Sequence, residues 1–188
     1  MTIATTYMSA RDFMGLPEDP TKTRYELVNG EVIVSPAPNY DHAYALTQLL
    51  VILATHIHQN DLGQIVSDID TYFDVNDVRR PDLLFFQKAR LNHIFGRYPD
   101  APPDLCIEFL SPSNAAYDQG NKFELYQRTG VTDYWIVDPM SHTAVAYTLV
   151  NDQYVEAGRG AHDDVVSFPP FKDLKIPLSN LWRETKTK

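Results

Sequence analysis

Cysteine is nearly absent: Cys106 is the only one in 188 residues. An intrachain disulfide therefore cannot form, and with no second thiol a cysteine-rich zinc site is argued against. This usage fits a reducing cytoplasm. Long apolar runs are also missing, and none approaches the roughly 20 residues that a membrane-crossing helix needs. The first ten residues show no basic stretch followed by an apolar one, so no signal peptide is read. Basic residues are outnumbered, 16 Lys and Arg against 25 Asp and Glu, for a net charge of −9. That balance argues against a general nucleic-acid binder. No G-x-S-x-G turn supports serine catalysis, and no Walker-type loop supports nucleotide binding. His56 and His58, two apart on an expected helix, point away from each other and cannot share one zinc ion. There is no internal repeat, low-complexity tract or linker, and the length suits a single domain over residues 1–188.

What is present is concentrated between residues 80 and 138, which read R-P-D-L-L-F-F, then P-P-D-L-C-I-E-F-L-S-P-S, then K-F-E-L-Y-Q-R-T-G-V-T-D-Y-W-I-V-D-P. The apolar runs 83–86 and 105–110 are short and bounded by Pro or Asp, as in strands buried on both faces. Asp82 opens the first. Glu108 lies inside the second and shares a face with Cys106 and Leu110, because side chains alternate along a strand. Taken alone, Asp82 reads as a strand-start residue facing solvent, and Glu108 as a buried acid paired with one Arg or Lys. Taken together, they suggest a shared divalent cation, since a lone buried carboxylate loses several kcal/mol of hydration or becomes neutral. Hard oxygen ligands favour Mg²⁺ or Mn²⁺. The two acids repel each other without metal, so Glu108→Gln is expected to raise metal-free stability.

A helix is expected next, starting at Ser111-Pro112 or Ser113 and ending at Gly130. Asp118, Lys122 and Tyr126 fall on one of its faces. Lys122 reads either as a partner of Asp118 or as a cation brought to the two acids. Residues 134–138 form a third strand. The result is a βαβ unit, whose right-handed crossover lays the helix back over the sheet. Tyr126 reads first as a core aromatic.

These motifs resemble the PD-(D/E)XK nuclease superfamily and, more closely, the bacterial Uma-type restriction-endonuclease-like family. Pro81-Asp82 matches the first motif and Glu108-Phe109-Leu110 the second, across a resemblance that spans roughly residues 25–182. The resemblance implies metal-dependent hydrolysis of DNA. Asp82, Glu108 and the Phe109 carbonyl would hold the ion, and Asp82, Glu108 and Lys122 would be catalytic. The second motif usually ends in Lys, but Leu110 stands there, and Lys122 on the following helix fits the migrated place. The resemblance also points to Glu31 and His42 as accessory residues, against bland readings as a surface acid and a helix-start His. Five basic residues lie between 79 and 97 against one acid. Arg79, Arg80, Lys88 and Arg90 could thus meet DNA phosphates, or belong to a solvated loop.

For the rest of the chain, Ser9 caps a short helix. Tyr25–Val28 and Glu31–Val34 form a hairpin around Asn29-Gly30, a type I′ signal. Pro36 interrupts before Asn39 or Asp41 caps a helix to about His58. Residues 63–73 alternate as one strand, and 144–150 with 153–156 form a hairpin around Asn151-Asp152. The expected fold is α/β: a mixed sheet flanked by helices, a restriction-endonuclease-like core with an N-terminal hairpin. Two rivals remain. One is a non-catalytic nucleic-acid-binding or regulatory module that keeps the nuclease fold, favoured by the acidic charge and the missing strand lysine. The other is a glycosidase using Asp82 and Glu108 as its acid and base. Cutting both strands of a duplex would be easiest for a homodimer.

Overall fold

The structure is a computed structural model that describes residues 7–17, 24–34, 37–95, 98–111 and 115–183. Pro36, Arg97, Pro112 and Ser113 lie outside the described residues, as does the side chain of Asp118. In chain order the elements are α1 (Ala10–Met14), β1 (Tyr25–Val28), β2 (Glu31–Val34), α2 (Tyr40–Gln59), β3 (Gly63–Ser67), β4 (Thr71–Asp74) and β5 (Asp77–Arg79). There follow β6 (Leu83–Gln87), a 3₁₀ turn at Lys88–His93, β7 (Ile94–Phe95), β8 (Tyr98–Pro99), β9 (Leu105–Phe109), α3 (Ala115–Arg128) and β10 (Asp133–Asp138). The chain then adds β11 (Thr143–Val150), β12 (Gln153–Ala161), β13 (Val165–Val166), β14 (Ile176–Pro177) and a 3₁₀ turn at Leu178–Leu181. Among the described residues, no helix is long and apolar enough to cross a membrane.

Six strands make a mixed sheet in the order β12-β11-β10-β9-β6-β3. Its parallel pair is β9–β10, joined through α3, which is the expected βαβ unit. The carboxylate strands β6 and β9 are antiparallel neighbours, with Leu83 opposite Ile107 and Leu84 opposite Cys106. Alternation gives the sheet two apolar faces. On one, Leu83, Phe85, Leu105 and Ile107 meet Ala45, Leu49, Leu53 and Ile57 of α2. Burying Leu49, Leu53 and Ile57 contributes roughly 2 kcal/mol each. On the other face, Cys106 and Tyr134 meet Leu125 and Tyr126 of α3. Glu108, two residues from Cys106, therefore faces α3.

The N-terminal hairpin does not join this sheet. It belongs to a second, four-stranded sheet in the order β2-β1-β5-β4. Asn29 (φ 49°) and Gly30 (φ 83°) both take positive φ, as a type I′ turn requires. Ala10 and Phe13 of α1 pack on Leu27 and Val78 of this sheet. The single strand expected over 63–73 is corrected here. Asp68 adopts φ 57° and breaks it, so that β3 joins the large sheet and β4 the small one. Apolar alternation continues through such a break, so periodicity alone does not reveal it.

One buried acid lies far from the carboxylates of interest. Asp133 opens β10, is 4% exposed, and its Oδ1 has no hydrogen-bond partner among the described residues. Burial pushes its carboxyl up to about 6, with Asp104 adding to the push while Thr148 and Lys172 oppose it. The folded state thus holds the proton more tightly than the unfolded state does. The stability present below the ordinary carboxylate range is lost as pH rises through about 6. Asp133→Asn is expected to stabilise the protein by about 1 kcal/mol at neutral pH and to flatten this dependence. Urea titrations on either side of that window check both effects, and an unchanged slope would show that another group carries it.

Candidate active site

Asp82 sits immediately before β6, after the buried Pro81. Continuing the β6–β9 ladder by one pair sets it opposite Glu108. Its Oδ2 accepts the Phe109 backbone N–H at 2.8 Å and faces His42 Nε2 at 3.1 Å. Its other oxygen takes part in neither contact. His42 lies in the first turn of α2, where Asn39 Oδ1 caps the His42 N–H at 2.9 Å. The imidazole packs edge-on against Phe109, and its Nδ1 is buried with no hydrogen-bond partner among the described residues. A proton on Nε2 serves the Asp82 contact and leaves only an acceptor unmet.

Glu108 is 6% exposed, and both of its oxygens are engaged. Lys122 Nζ donates to Oε2 at 2.7 Å, and the Tyr126 hydroxyl donates to Oε1 at 2.6 Å. The two donors are one helical turn apart on α3 and so share a face. The helix ends at Gly130, whose φ of 81° suits a glycine stop. Burial pushes the Glu108 carboxyl up to about 7. The nearby Asp82 charge adds to this, while Lys122 and the Tyr126 hydrogen bond pull it down. Burial works against the Lys122 ammonium, yet Glu108, Glu26 and Asp82 together hold its proton more tightly than usual. Burial, with Glu108 next to it, keeps the Tyr126 hydroxyl protonated well above its ordinary range.

The structure thus brings together Asp82, Glu108, Phe109, Lys122, Tyr126 and His42. It does not bring in Glu31, which is exposed at the turn end of the hairpin, opposite Val28. The acid that this hairpin contributes is Glu26, which sequence reasoning missed. Its Oε1 accepts the Arg80 N–H at 2.8 Å, two residues before Asp82. The signal available was an acid at the second position of the short strand Y-E-L-V, but nothing local tells it apart from Glu31.

The basic stretch is also rearranged by folding. Arg79 is 4% exposed and is held by Asp77, with Nη2–Oδ1 at 2.8 Å. That burial and pairing leave little of its guanidinium open to the phosphate contact expected for this residue. Arg80 bonds Asp70 through Nε at 2.8 Å, and Lys88 pairs with Asp61. Arg90 bonds Asp104 Oδ1 at 3.0 Å and the Pro102 carbonyl at 2.8 Å, and lies over the Phe86 ring. A charge count along a window cannot see acids that arrive from elsewhere in the chain. Arg90→Ala is expected to cost about 2 kcal/mol by stranding the buried Asp104 carboxylate. Lys88→Ala, at a pair whose side chains are 61% and 76% exposed, should stay within about 0.5 kcal/mol. Urea midpoints of the two variants check this contrast, and equal midpoints would contradict it.

The donors here suit a hard divalent cation: two carboxylates from neighbouring strands, beside a strand-end carbonyl at Phe109. The charge on Asp82 pushes Glu108 upward, a repulsion that a shared cation would remove. Among the described residues, no group of three or more His, Cys, Asp or Glu is gathered to hold a metal. Oxygens from Asp82, Glu108 and the Phe109 backbone would therefore leave other coordination positions to water and substrate.

In fold, the chain is similar to a crystal structure described as "a putative nuclease belonging to DUF820" from Anabaena variabilis. The TM-score is 0.77 at 19% identity, covering 93% of this chain and 97% of that one. A search of curated proteins gave no match. The family described as "Putative restriction endonuclease" (Uma2) matches residues 10–179, nearly the whole sequence, and the chain belongs to that family.

Proposed function

We propose that this protein is a metal-dependent endonuclease that hydrolyses DNA phosphodiester bonds. The observation that carries the reading is the 2.7 Å contact from Lys122 to Glu108. It supports a strand acid and a helix-borne ammonium sharing one centre, although position 110 holds leucine. Asp82 and Glu108 are the residues that would hold Mg²⁺ or Mn²⁺, with the Phe109 carbonyl as a further oxygen. A bound ion supplies Lewis acidity and lowers the pKa of its water. The protein's own groups do the rest. Lys122 orients the attacking water and offsets charge developing on the phosphate. Tyr126 fixes Glu108, and His42 with the Phe109 N–H fixes Asp82. A two-fold dimer would set one such centre on each strand of a duplex.

A second reading is a non-catalytic nucleic-acid-binding or regulatory module on the same fold; the internal pairing of Arg79, Arg80, Lys88 and Arg90 favours its regulatory form, because it leaves less positive charge to meet phosphates. One assay separates the two. Duplex and single-stranded DNA are incubated with Mg²⁺ or Mn²⁺, beside a Glu108→Ala control. Metal-dependent cleavage that the control lacks supports the nuclease. Cleavage that survives in Glu108→Ala, or is absent from both proteins, counts against it.

A further inference from the structure

Aromatic rings gather on one flank of α2. Tyr40, Tyr44 and Gln48 are spaced four apart and so share a side of that helix. Tyr40 is 67% exposed, and its ring stacks with Tyr44 at 6.5 Å between centroids. Tyr44 and Gln48 line an open cleft of about 540 Å³ together with Ser179, Asn180, Trp182 and Arg183. His142 lies flat against the Trp182 indole, with centroids 5.1 Å apart and planes 4° from parallel, and the indole N–H donates to the His162 carbonyl at 2.7 Å. The indole is therefore held in place before any ligand arrives. Among the described residues, the side chains of Gln48, Ser179 and Asn180 make no hydrogen bond. The cleft thus joins flat aromatic surface to spare donors and acceptors. A nucleobase needs that combination, having a π-face to stack and a polar edge to satisfy.

The cleft also adjoins the candidate active site. Asp41, the neighbour of His42, lines a smaller cleft of about 170 Å³ that shares Trp182 and Arg183 with the larger one. Pro139 lines it too, directly after β10, whose Val137 carbonyl accepts the Leu110 N–H beside Phe109. The two clefts thereby connect the strand ends of the centre to the flank of α2. Charge favours bases over phosphates here. Arg183 Nε bonds Asp41 Oδ1 at 3.1 Å, and its guanidinium lies over the Tyr40 ring, 5.2 Å from the centroid. Its charge is answered within the protein, as are those of Arg80, Lys88 and Arg90. Duplex binding rests chiefly on neutralising phosphates, whereas unpaired bases can be held by stacking.

We propose that this cleft binds an unpaired nucleobase, and that the substrate is DNA with a single-stranded stretch beside the scissile phosphate. Tyr44 and Trp182 supply the stack, and Gln48 and Asn180 meet the edge of the base. The substrate preference rests on the nuclease reading above, whereas the binding cleft does not.

Fluorescence anisotropy in the presence of a chelator, where no metal-dependent cutting occurs, compares a labelled single strand with a duplex of the same sequence. The single strand should bind more tightly and with a shallower salt dependence. Trp182 also packs against the core, so Tyr44 is the deciding position. Tyr44→Ala should weaken single-strand binding at least about fivefold, the low end for losing one base–aromatic stack. Tyr44→Phe should retain the affinity, and duplex binding should stay unchanged in both variants, with far-UV circular dichroism checking the fold. Unchanged single-strand affinity in Tyr44→Ala, or equal weakening toward both DNAs, overturns the proposal. Metal-dependent cleavage that is as fast on fully paired duplex as on the single strand overturns the substrate preference and keeps the nuclease reading. Tyr44-dependent binding without cleavage of either DNA removes the nuclease reading and the substrate preference, and supports the cleft.

Discussion

Lys122→Ala is expected to fold, to bind Mn²⁺ at least as tightly as the unaltered protein, and to cleave DNA roughly 10²-fold more slowly or worse. The rate effect is the scale for losing one positioned charge that faces the developing phosphate charge. The binding effect has the opposite sign because the ammonium lies on Glu108 Oε2, where the proposed cation would come. The comparison belongs at a pH of about 8, where Glu108 is ionised in the unaltered protein. Leu110→Lys in the same variant offers a partial rescue, since alternation sets position 110 on the face of Glu108. Single-turnover rates at saturating metal separate the two effects. A wild-type rate in Lys122→Ala would end the migrated-lysine mechanism.

Glu108→Gln carries the second large effect, on stability. Two forces oppose each other. Removing the carboxylate takes a counter-charge from Lys122, but it also removes a buried charge that Asp82 repels. The Glu108 carboxyl, pushed up to about 7 from an ordinary 4.5, shows that burial and repulsion outweigh the lysine. Glutamine can also satisfy both neighbours, its oxygen accepting from Lys122 and its N–H donating to the Tyr126 hydroxyl oxygen. The metal-free variant should therefore be about 2 kcal/mol more stable than the unaltered protein above pH 7. The pH dependence follows from the same shift. A raised folded-state value means that the stability present below about 4.5 is lost as pH rises through about 7, and Glu108→Gln should flatten that fall. Mn²⁺ should raise the melting temperature of the unaltered protein and leave the variant unmoved. A metal response retained in Glu108→Gln would contradict the assignment.

Local chemistry made much of this legible in sequence. Asn29-Gly30 and Asn151-Asp152 announce their turns by residue type, and both residues of each pair have positive φ in the structure. Acids at positions 82 and 108 stand out because their neighbours are apolar. The βαβ unit follows from length and punctuation. What stayed hidden depends on contacts distant in sequence. Glu26 reaches the centre only because β1 pairs with β5, which brings it to Arg80. Asp68 splits two strands through one backbone angle. Arg79 faces inward because Asp77 and its surroundings bury it, and no charge tally foresees that.

At the far end of α3, Arg128 reaches Asp77 at 2.9 Å and also pairs with Asp74, on β5 and β4. The helix that delivers the ammonium is thereby bolted to the small sheet, while Asp82 and Glu108 belong to the large one. A lysine at position 110 would be indexed by a strand ladder, in which each residue is locked to its neighbour. Lys122 is indexed by rotational phase instead. One residue gained or lost between Lys122 and Arg128 turns the ammonium by about 100° around the helix axis while both acids stay where they are. On the proposed mechanism, the residues that would hold the metal and the one that would orient water can therefore drift apart independently: an insertion in α3 would silence the chemistry and leave a protein that still binds the ion.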